Sequence, residues 1–326
     1  ECRAKEGKHI NTIKEDLEAL VDKRLHWTLL TLPILGIVIF TILPLVFMIC
    51  MAFTSYSKVG DHLTIFHWVG LKNFSTVLGM GNSIGKTFWS VLGWTLIWAV
   101  LATFLNYILG MILAIVINRK TTRIKGFWRF CFMLSAAIPQ FVSLLLMRTM
   151  LKDNGLINNL LVQAGLISSP LPFLTNATWA RATVVIINLW VGIPFTMMQV
   201  TGILQNIPGE LYEAARVDGA GPVTIFFKIT LPYMLFVTTP YLITTFTGNI
   251  NNFNVIYLLT AGAPVPVGAT AGKTDLLVTW LYKLTVDLQY FNVGAVVGIL
   301  TFVILAVVSL ITYRNTGSYK NEEGFQ

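Results

Sequence analysis

Along this chain, long stretches without Asp, Glu, Lys or Arg alternate with short charged links. Six of these stretches are long and mainly apolar: Trp27 to Ser57, Thr87 to Asn118, Phe130 to Met147, Ala182 to Gly209, Ile229 to Gly272 and Leu288 to Tyr313. A helix that crosses the hydrocarbon of a bilayer needs about 20 apolar residues, because roughly 30 Å must be covered at about 1.5 Å per residue. The pattern therefore predicts an all-α polytopic membrane protein with six transmembrane helices. A further uncharged stretch, Asn154 to Ala180, is different. It holds Asn154, Gly155, Asn158, Asn159, Gln163, Ser168, Ser169, Pro170, Pro172 and Asn176, whose polar groups and helix breaks would go unsatisfied in lipid. It is expected to be an external loop with a short amphipathic helix around Ile157 to Gln163.

The charges set the orientation. Arg3, Lys5, Lys8, Lys14, Lys23 and Arg24 precede the first span, Arg119, Lys120, Arg123, Lys125 and Arg129 link the second to the third, and Arg314 and Lys320 follow the last. Cation-rich ends stay in the cytoplasm, which puts the links Lys58 to Lys86, Lys152 to Arg181 and Lys273 to Asp287 outside. Trp27, Trp89 and Trp179 lie near span ends, as interfacial tryptophans do. Residues 1–26 form a cytoplasmic segment in which Ile10, Ile13, Leu17, Leu20 and Val21 recur at helical spacing among the charges up to Asp22, the pattern of an amphipathic helix in the interface plane or a connector. The first residue is Glu1 rather than Met, so further spans upstream are left open. Residues 27–314 form the transmembrane domain and 315–326 a cytoplasmic tail.

Composition agrees with this reading. Charged residues make up 12% of the chain and apolar ones 55%, about half the charge density that keeps a soluble surface wet. Membrane lipid is the surrounding medium. The net charge of +8 is scattered in short clusters rather than gathered in one stripe, which argues against nucleic acid as a partner.

Little in the chain points to catalysis. Cys2, Cys50 and Cys131 have no metal or redox spacing and are expected to be small buried apolar residues. His9, His26, His62 and His67 do not lie beside a carboxylate within an uncharged run, so neither a zinc site nor a proton relay is expected. The segment GATAGKT, with Gly268, Gly272, Lys273 and Thr274, has three residues between its glycines where a phosphate loop needs four, and it follows a membrane span rather than a buried strand. Lys273 and Asp275 are expected to be a solvated loop pair. A secondary transporter is the alternative for a polytopic chain, but it usually couples ions through an intramembrane charge or an unwound ion site, and none of the six runs carries a charge.

The most informative segment lies between the fourth and fifth spans, IPGELYEAARVDGAGPVTIFFKITLP. Pro208 suits the first helical position and Glu210 the positive end of the helix dipole, and Asp218, Gly219, Ala220, Gly221 and Pro222 stop that helix and start another. The pattern Glu213, Ala214, Ala215, three residues, Gly219, nine residues, Ile229, one residue, Leu231, Pro232 resembles the EAA loop of the permease subunits of bacterial binding-protein-dependent ABC importers. GLKNF at Gly70 to Phe74, GLINNLL at Gly155 to Leu161, NLWVGIPF at Asn188 to Phe195 and NNFNVIYLLTAGAP at Asn251 to Pro264 resemble the carbohydrate branch of that family. TDLLVTWLYKL at Thr274 to Leu284 is similar to the larger permease subunit of its maltose and maltodextrin systems, although the large external insert of some members is absent between the first two spans.

The resemblance implies a division of labour. Residues 206–232 would be the coupling loop, with Glu213, Ala214, Ala215, Asp218, Gly219 and Ala220 facing a cytoplasmic ATPase. Glu213 would be the polar anchor, and Gly219 would allow close approach and a left-handed backbone. The partners implied are a second permease subunit, two ABC ATPase subunits and an extracellular or periplasmic sugar-binding protein. ATP and Mg would belong to the ATPases, and this chain would hold no cofactor of its own and catalyse no reaction. Malto-oligosaccharide or maltodextrin is the expected cargo, with galacto-oligosaccharide the alternative.

Amides inside apolar spans need partners, because an unpaired one costs about 1 to 3 kcal/mol. Asn188 in the fourth span and Asn249, Asn251 and Asn252 in the fifth could serve as glue between helices or as a sugar site. The resemblance aligns Asn188, Val191, Gly192, Phe195, Thr245, Asn249 and Asn252 with sugar-contacting positions: Phe195 would stack on a sugar face, Gly192 would make room and the amides would hold hydroxyls. Gly294 and Gly298 form a small face for close helix packing.

Overall fold

The computed structural model describes residues 25, 27, 29–59, 62–63, 66–119 and 121–314. The amphipathic helix expected up to Asp22, the tail over 315–326, and Cys2, His9, His26 and Lys120 lie outside the described residues. Helix α1 (Leu29–Ala52) leads through a two-residue antiparallel ladder, β1 (Lys58–Val59) on β2 (His62–Leu63), to the short α2 (Lys72–Leu78) and then α3 (Ser83–Asn118). Helices α4 (Lys125–Ala137), α5 (Gln140–Met150), α6 (Leu156–Gln163) and α7 (Ala177–Asn206) follow. A hairpin of α8 (Gly209–Val217) and the start of α9 (Pro222–Ile250) returns the chain to the bundle, which α10 (Phe253–Thr260), α11 (Leu277–Tyr282) and α12 (Phe291–Arg314) complete.

Among the described residues, α1, α3, α7, α9 and α12 are long and apolar enough to cross a membrane, and the α4–α5 pair supplies a sixth candidate. The helix ends follow local chemistry. Asn82 caps α3 by accepting from the Gly85 N–H at 2.7 Å, and Asn176 caps α7 by accepting from Thr178 and Trp179. Pro44 and Pro232 each follow a π-turn, Val38–Ile42 and Phe226–Thr230, in which Leu43 N–H reaches Val38 C=O and Leu231 N–H reaches Phe226 C=O. A proline ring crowds the carbonyl four residues back and offers no N–H, so a wider turn just before it relieves both problems.

The core is stacked in three layers along α3. Phe88 and Val91 pack with Met51, Trp280, Leu284 and Val296. Trp94 and Trp98 pack with Leu144, Val184, Leu259 and Leu276, and Tyr107 and Met111 pack with Met197, Val200 and Met234. Two glycine contacts set helix separations. A Cβ on Gly110 would stand 2.6 Å from the Thr196 Cβ, and one on Gly294 2.5 Å from the Thr285 Cγ2, so α7 meets α3, and the turn after α11 meets α12, by close approach. Helix α1 buries only Met51 and Ala52 of its second half, with Met48 half-buried against the core; most of its other apolar side chains are exposed.

Several expectations need correction. The third span is not one straight helix: α4 and α5 meet at 83°, because Pro139 removes an N–H and drives Ile138 into an extended conformation. The uncharged run from Ile229 to Gly272 is likewise not a single span, since α9 stops at Ile250 and α10 restarts after Asn251 and Asn252. The two described cysteines are not buried. Cys50 is half-buried and Cys131 exposed, because in a bundle surrounded by lipid an apolar residue on an outer helix face has no need of the core. Asp275 is not half of a solvated pair with Lys273: it is 1% exposed and accepts from Lys283 Nζ at 2.6 Å, from the Gly272 N–H at 2.6 Å and from the Thr279 hydroxyl at 2.9 Å. Helix α11 starts just after Asp275 and brings Lys283 back two turns later, whereas Lys273 stays exposed with its carbonyl taken by Arg181.

Candidate functional site

Two places in the molecule gather the residues that the sequence singles out. The first is the α8 hairpin. Glu210 lies in the first turn of α8 and Arg216 in its last, both signs suiting the helix dipole, and Pro208 stands just before the first helical residue. The helix ends in a Schellman turn, with Ala220 N–H on Ala215 C=O at 2.9 Å and Gly219 N–H on Arg216 C=O at 3.0 Å. Gly219 has φ +76°, and a Cβ there would meet nothing. Its requirement is therefore the left-handed backbone, not close approach of the two helices. Glu213, Ala214, Asp218 and Gly219 are exposed, and Ala215 and Ala220 half-buried. A bond between the Tyr212 and Thr230 hydroxyls at 3.2 Å ties α8 to α9.

The second place is the break between α4 and α5. A cavity of ≈ 320 Å³ opens there, with Ala137, Ile138, Pro139, Gln140 and Ser143 on one side and Asn188, Trp190, Val191, Gly192 and Phe195 of α7 on the other. Four of the seven sugar-site positions thus share one cavity. Asn188 is 7% exposed, while the Phe195 ring, 54% exposed, offers a face for stacking. Amide, hydroxyl and aromatic groups of this kind can hold and orient a neutral polar molecule. Among the described residues no group of three or more His, Cys, Asp or Glu could hold a metal.

Thr245, Asn249 and Asn252 do not line that cavity. Asn249 is buried and donates to the Thr103 hydroxyl at 3.0 Å, and its carbonyl accepts from Trp98 Nε1 at 3.1 Å. Asn252 donates to the Asn249 Oδ1 at 3.4 Å and caps α10 by accepting from Val255 N–H at 3.3 Å. Thr245 is half-buried on α9. Gly192 makes room, but for a neighbour within the fold: a Cβ there would strike the Asn106 amide. Asn106 in turn accepts from the Thr196 hydroxyl at 3.4 Å, which also meets the Tyr241 hydroxyl at 3.2 Å. Asn106 and Gln140 escaped the sequence reading although they carry the same signal as Asn188, an amide inside an uncharged run.

Comparison with known proteins sets this arrangement in context. Residues 106–316 match the family model described as binding-protein-dependent transport system inner membrane component. The galactooligosaccharides transport system permease protein GanP of Bacillus subtilis is 36% identical over 97% of this chain and 76% of its own length. The maltodextrin transport system permease protein MdxF of the same organism is also 36% identical, over 97% of this chain and 75% of its own. A solved bacterial ABC transporter that imports the acidic polysaccharide alginate contains a chain that superposes with a TM-score of 0.70 over 91% of this chain and 97% of that one, at 23% identity, a likeness of fold. On the extent of the family match and the identity to these permeases, the chain belongs to the binding-protein-dependent transport system inner membrane component family.

Proposed function

We propose that this chain forms one half of the translocation pathway of an ABC importer that carries oligosaccharides across the bacterial cytoplasmic membrane. The cargo favoured is malto-oligosaccharide or maltodextrin, with galacto-oligosaccharide the close alternative, in line with what the names of GanP and MdxF say those relatives transport. The observation that carries the reading is the cavity at the α4–α5 break, where the Asn188 amide and the exposed Phe195 ring lie together. A sugar offers hydroxyls to the amide and an apolar face to the ring.

In this reading a second permease subunit completes the pathway, two ATPase subunits supply ATP hydrolysis and a binding protein delivers the sugar from outside. Both ends of residues 27–314 face the cytoplasm, and α8 seats on an ATPase through Glu213, Ala214, Ala215, Asp218, Gly219 and Ala220. Closure of the ATPases around ATP would then move α8, and α9 with it, because the Schellman turn and the Tyr212–Thr230 bond join the two.

The test is reconstitution of the complex in vesicles, with uptake of maltotriose and of galactobiose and sugar-dependent ATP turnover as readouts. Phe195→Ala should lower uptake of the transported sugar about fivefold through lost stacking, on the order of 1 kcal/mol, without lowering the unfolding temperature. A complex whose ATP turnover and vesicle contents respond to neither sugar would overturn the reading.

A further inference from the structure

On the face that this orientation puts outside, a cavity of ≈ 460 Å³ lies where α3, α7 and the loop before α11 converge. Three cations line it, Lys86, Arg181 and Lys273, beside the Trp94 ring and the hydroxyls of Thr87 and Ser90. The Arg181 guanidinium is held in place: it stands 4.4 Å from the centre of the Trp94 ring and donates from Nε to the Lys273 carbonyl at 2.8 Å. Trp94 is itself fixed by a bond from Nε1 to the Thr274 carbonyl at 3.2 Å. An oriented guanidinium with its terminal amino groups left over is a fork that matches a carboxylate.

Among the described residues no acid pairs with these three cations. Asp275 also lines the cavity, but its carboxylate is occupied by Lys283, the Gly272 N–H and the Thr279 hydroxyl. Among the described residues the Lys283–Asp275 contact is the only ion pair. Local physics makes the cations more telling still. Lys86 is in the first turn of α3 and Arg181 in the second turn of α7, near helix ends whose dipoles disfavour positive charge, and neither helix has an acid in its first turn. Three cations that line one cavity, two of them near helix N-termini, are relieved when an anion enters.

The cavity backs onto the core on one side. Its floor includes Trp94, 6% exposed, which packs with the fully buried Trp98 and Leu276. A packed core behind Trp94 suits a side chain that docks rather than a cargo that passes.

We propose that this cavity is a socket for a carboxylate, an Asp or Glu side chain of the binding protein that docks on the outer face. The proposal rests on the importer reading above and adds to it the chemistry of one contact. The experiment measures docking of the sugar-loaded binding protein on the complete complex in lipid nanodiscs, at low and at high salt. Lys86→Gln with Lys273→Gln is the deciding variant, because both side chains are exposed and neither bonds to another described residue. It should weaken docking about tenfold at low salt and flatten the salt dependence, since screening acts on the charges that remain. Arg181→Gln should do the same, and Arg181→Lys should restore only part of the affinity by keeping the charge without the fork. Docking by the double lysine variant that equals wild type at both salt concentrations overturns the proposal. So does a complex in which sodium glucuronate is imported and the same substitutions abolish that import alone, because the cavity then serves a free sugar acid. The two readings fail separately. Lysine-dependent docking without any sugar-driven turnover supports the socket and overturns the importer reading, and normal turnover with docking indifferent to all three cations does the reverse.

Discussion

The loop from Ala261 to Leu276 and the hairpin from Gly209 to Gly221 both join elements of the bundle, yet they are held by opposite means. The end of the loop next to α11 is sealed by the fold, although its tip around Val267 stands open. Thr274, Asp275 and Leu276 are buried, the Thr274 hydroxyl donates to Ala263 C=O at 2.8 Å and Lys283 closes over Asp275. The hairpin buries no residue of α8, and Val217 is 88% exposed. Its shape is set by local chemistry: a dipole with the right charges, a Schellman turn, one glycine and the Tyr212–Thr230 bond. A carboxylate such as Asp275, whose bonds are all met within the chain, needs no partner, whereas a helix with every side exposed or half-exposed gains burial only from one.

That contrast can be broken most easily at Asp275. Asp275→Ala leaves the Lys283 ammonium without its partner in a site where its side chain is 14% exposed, and loss of one member of such a pair costs about 3–5 kcal/mol. The expected result is a large fall in unfolding temperature in detergent; an unchanged one would mean that the loop is not sealed by this pair. The next effect is expected inside the bundle. Asn249→Leu removes the bond to Thr103 and should cost about 0.6–2 kcal/mol, seen as lower thermal stability of the purified chain. Stability equal to wild type together with lost uptake would instead assign Asn249 to the sugar.

The hairpin should respond more gently. Gly219→Ala forces a side chain onto φ +76° with no steric contact nearby, a strain of about 1 kcal/mol. Its unfolding temperature should fall slightly, and Gly219→Asn, which tolerates the left-handed region, should recover most of the loss. Smallest of all on the fold is Glu213→Lys. An exposed helix position is worth within about 0.5 kcal/mol, so the protein should fold normally while sugar-driven ATP turnover and uptake are lost. Marked unfolding by Glu213→Lys would show that α8 carries structural weight, and unimpaired uptake would remove its coupling role.

What the sequence determined by itself is whatever depends on neighbours along the chain. Uncharged length places α3, α7 and α12 within a few residues of expectation, polar composition sets the loop holding α6 apart, and Asp218 to Pro222 specify a turn that needs no distant contact. The bend at Pro139 was also local, but counting charges does not register a missing N–H. The tertiary structure alone decided where the buried polar groups find partners. Asn249 meets Thr103 across 146 residues, Trp98 meets Asn249 across 151, and Asn106 fills the space that Gly192 leaves. An amide in an apolar helix must bond to something, which the sequence can state; which atom it meets depends on which helix faces pack and how closely, and that follows only when the separate segments have come together.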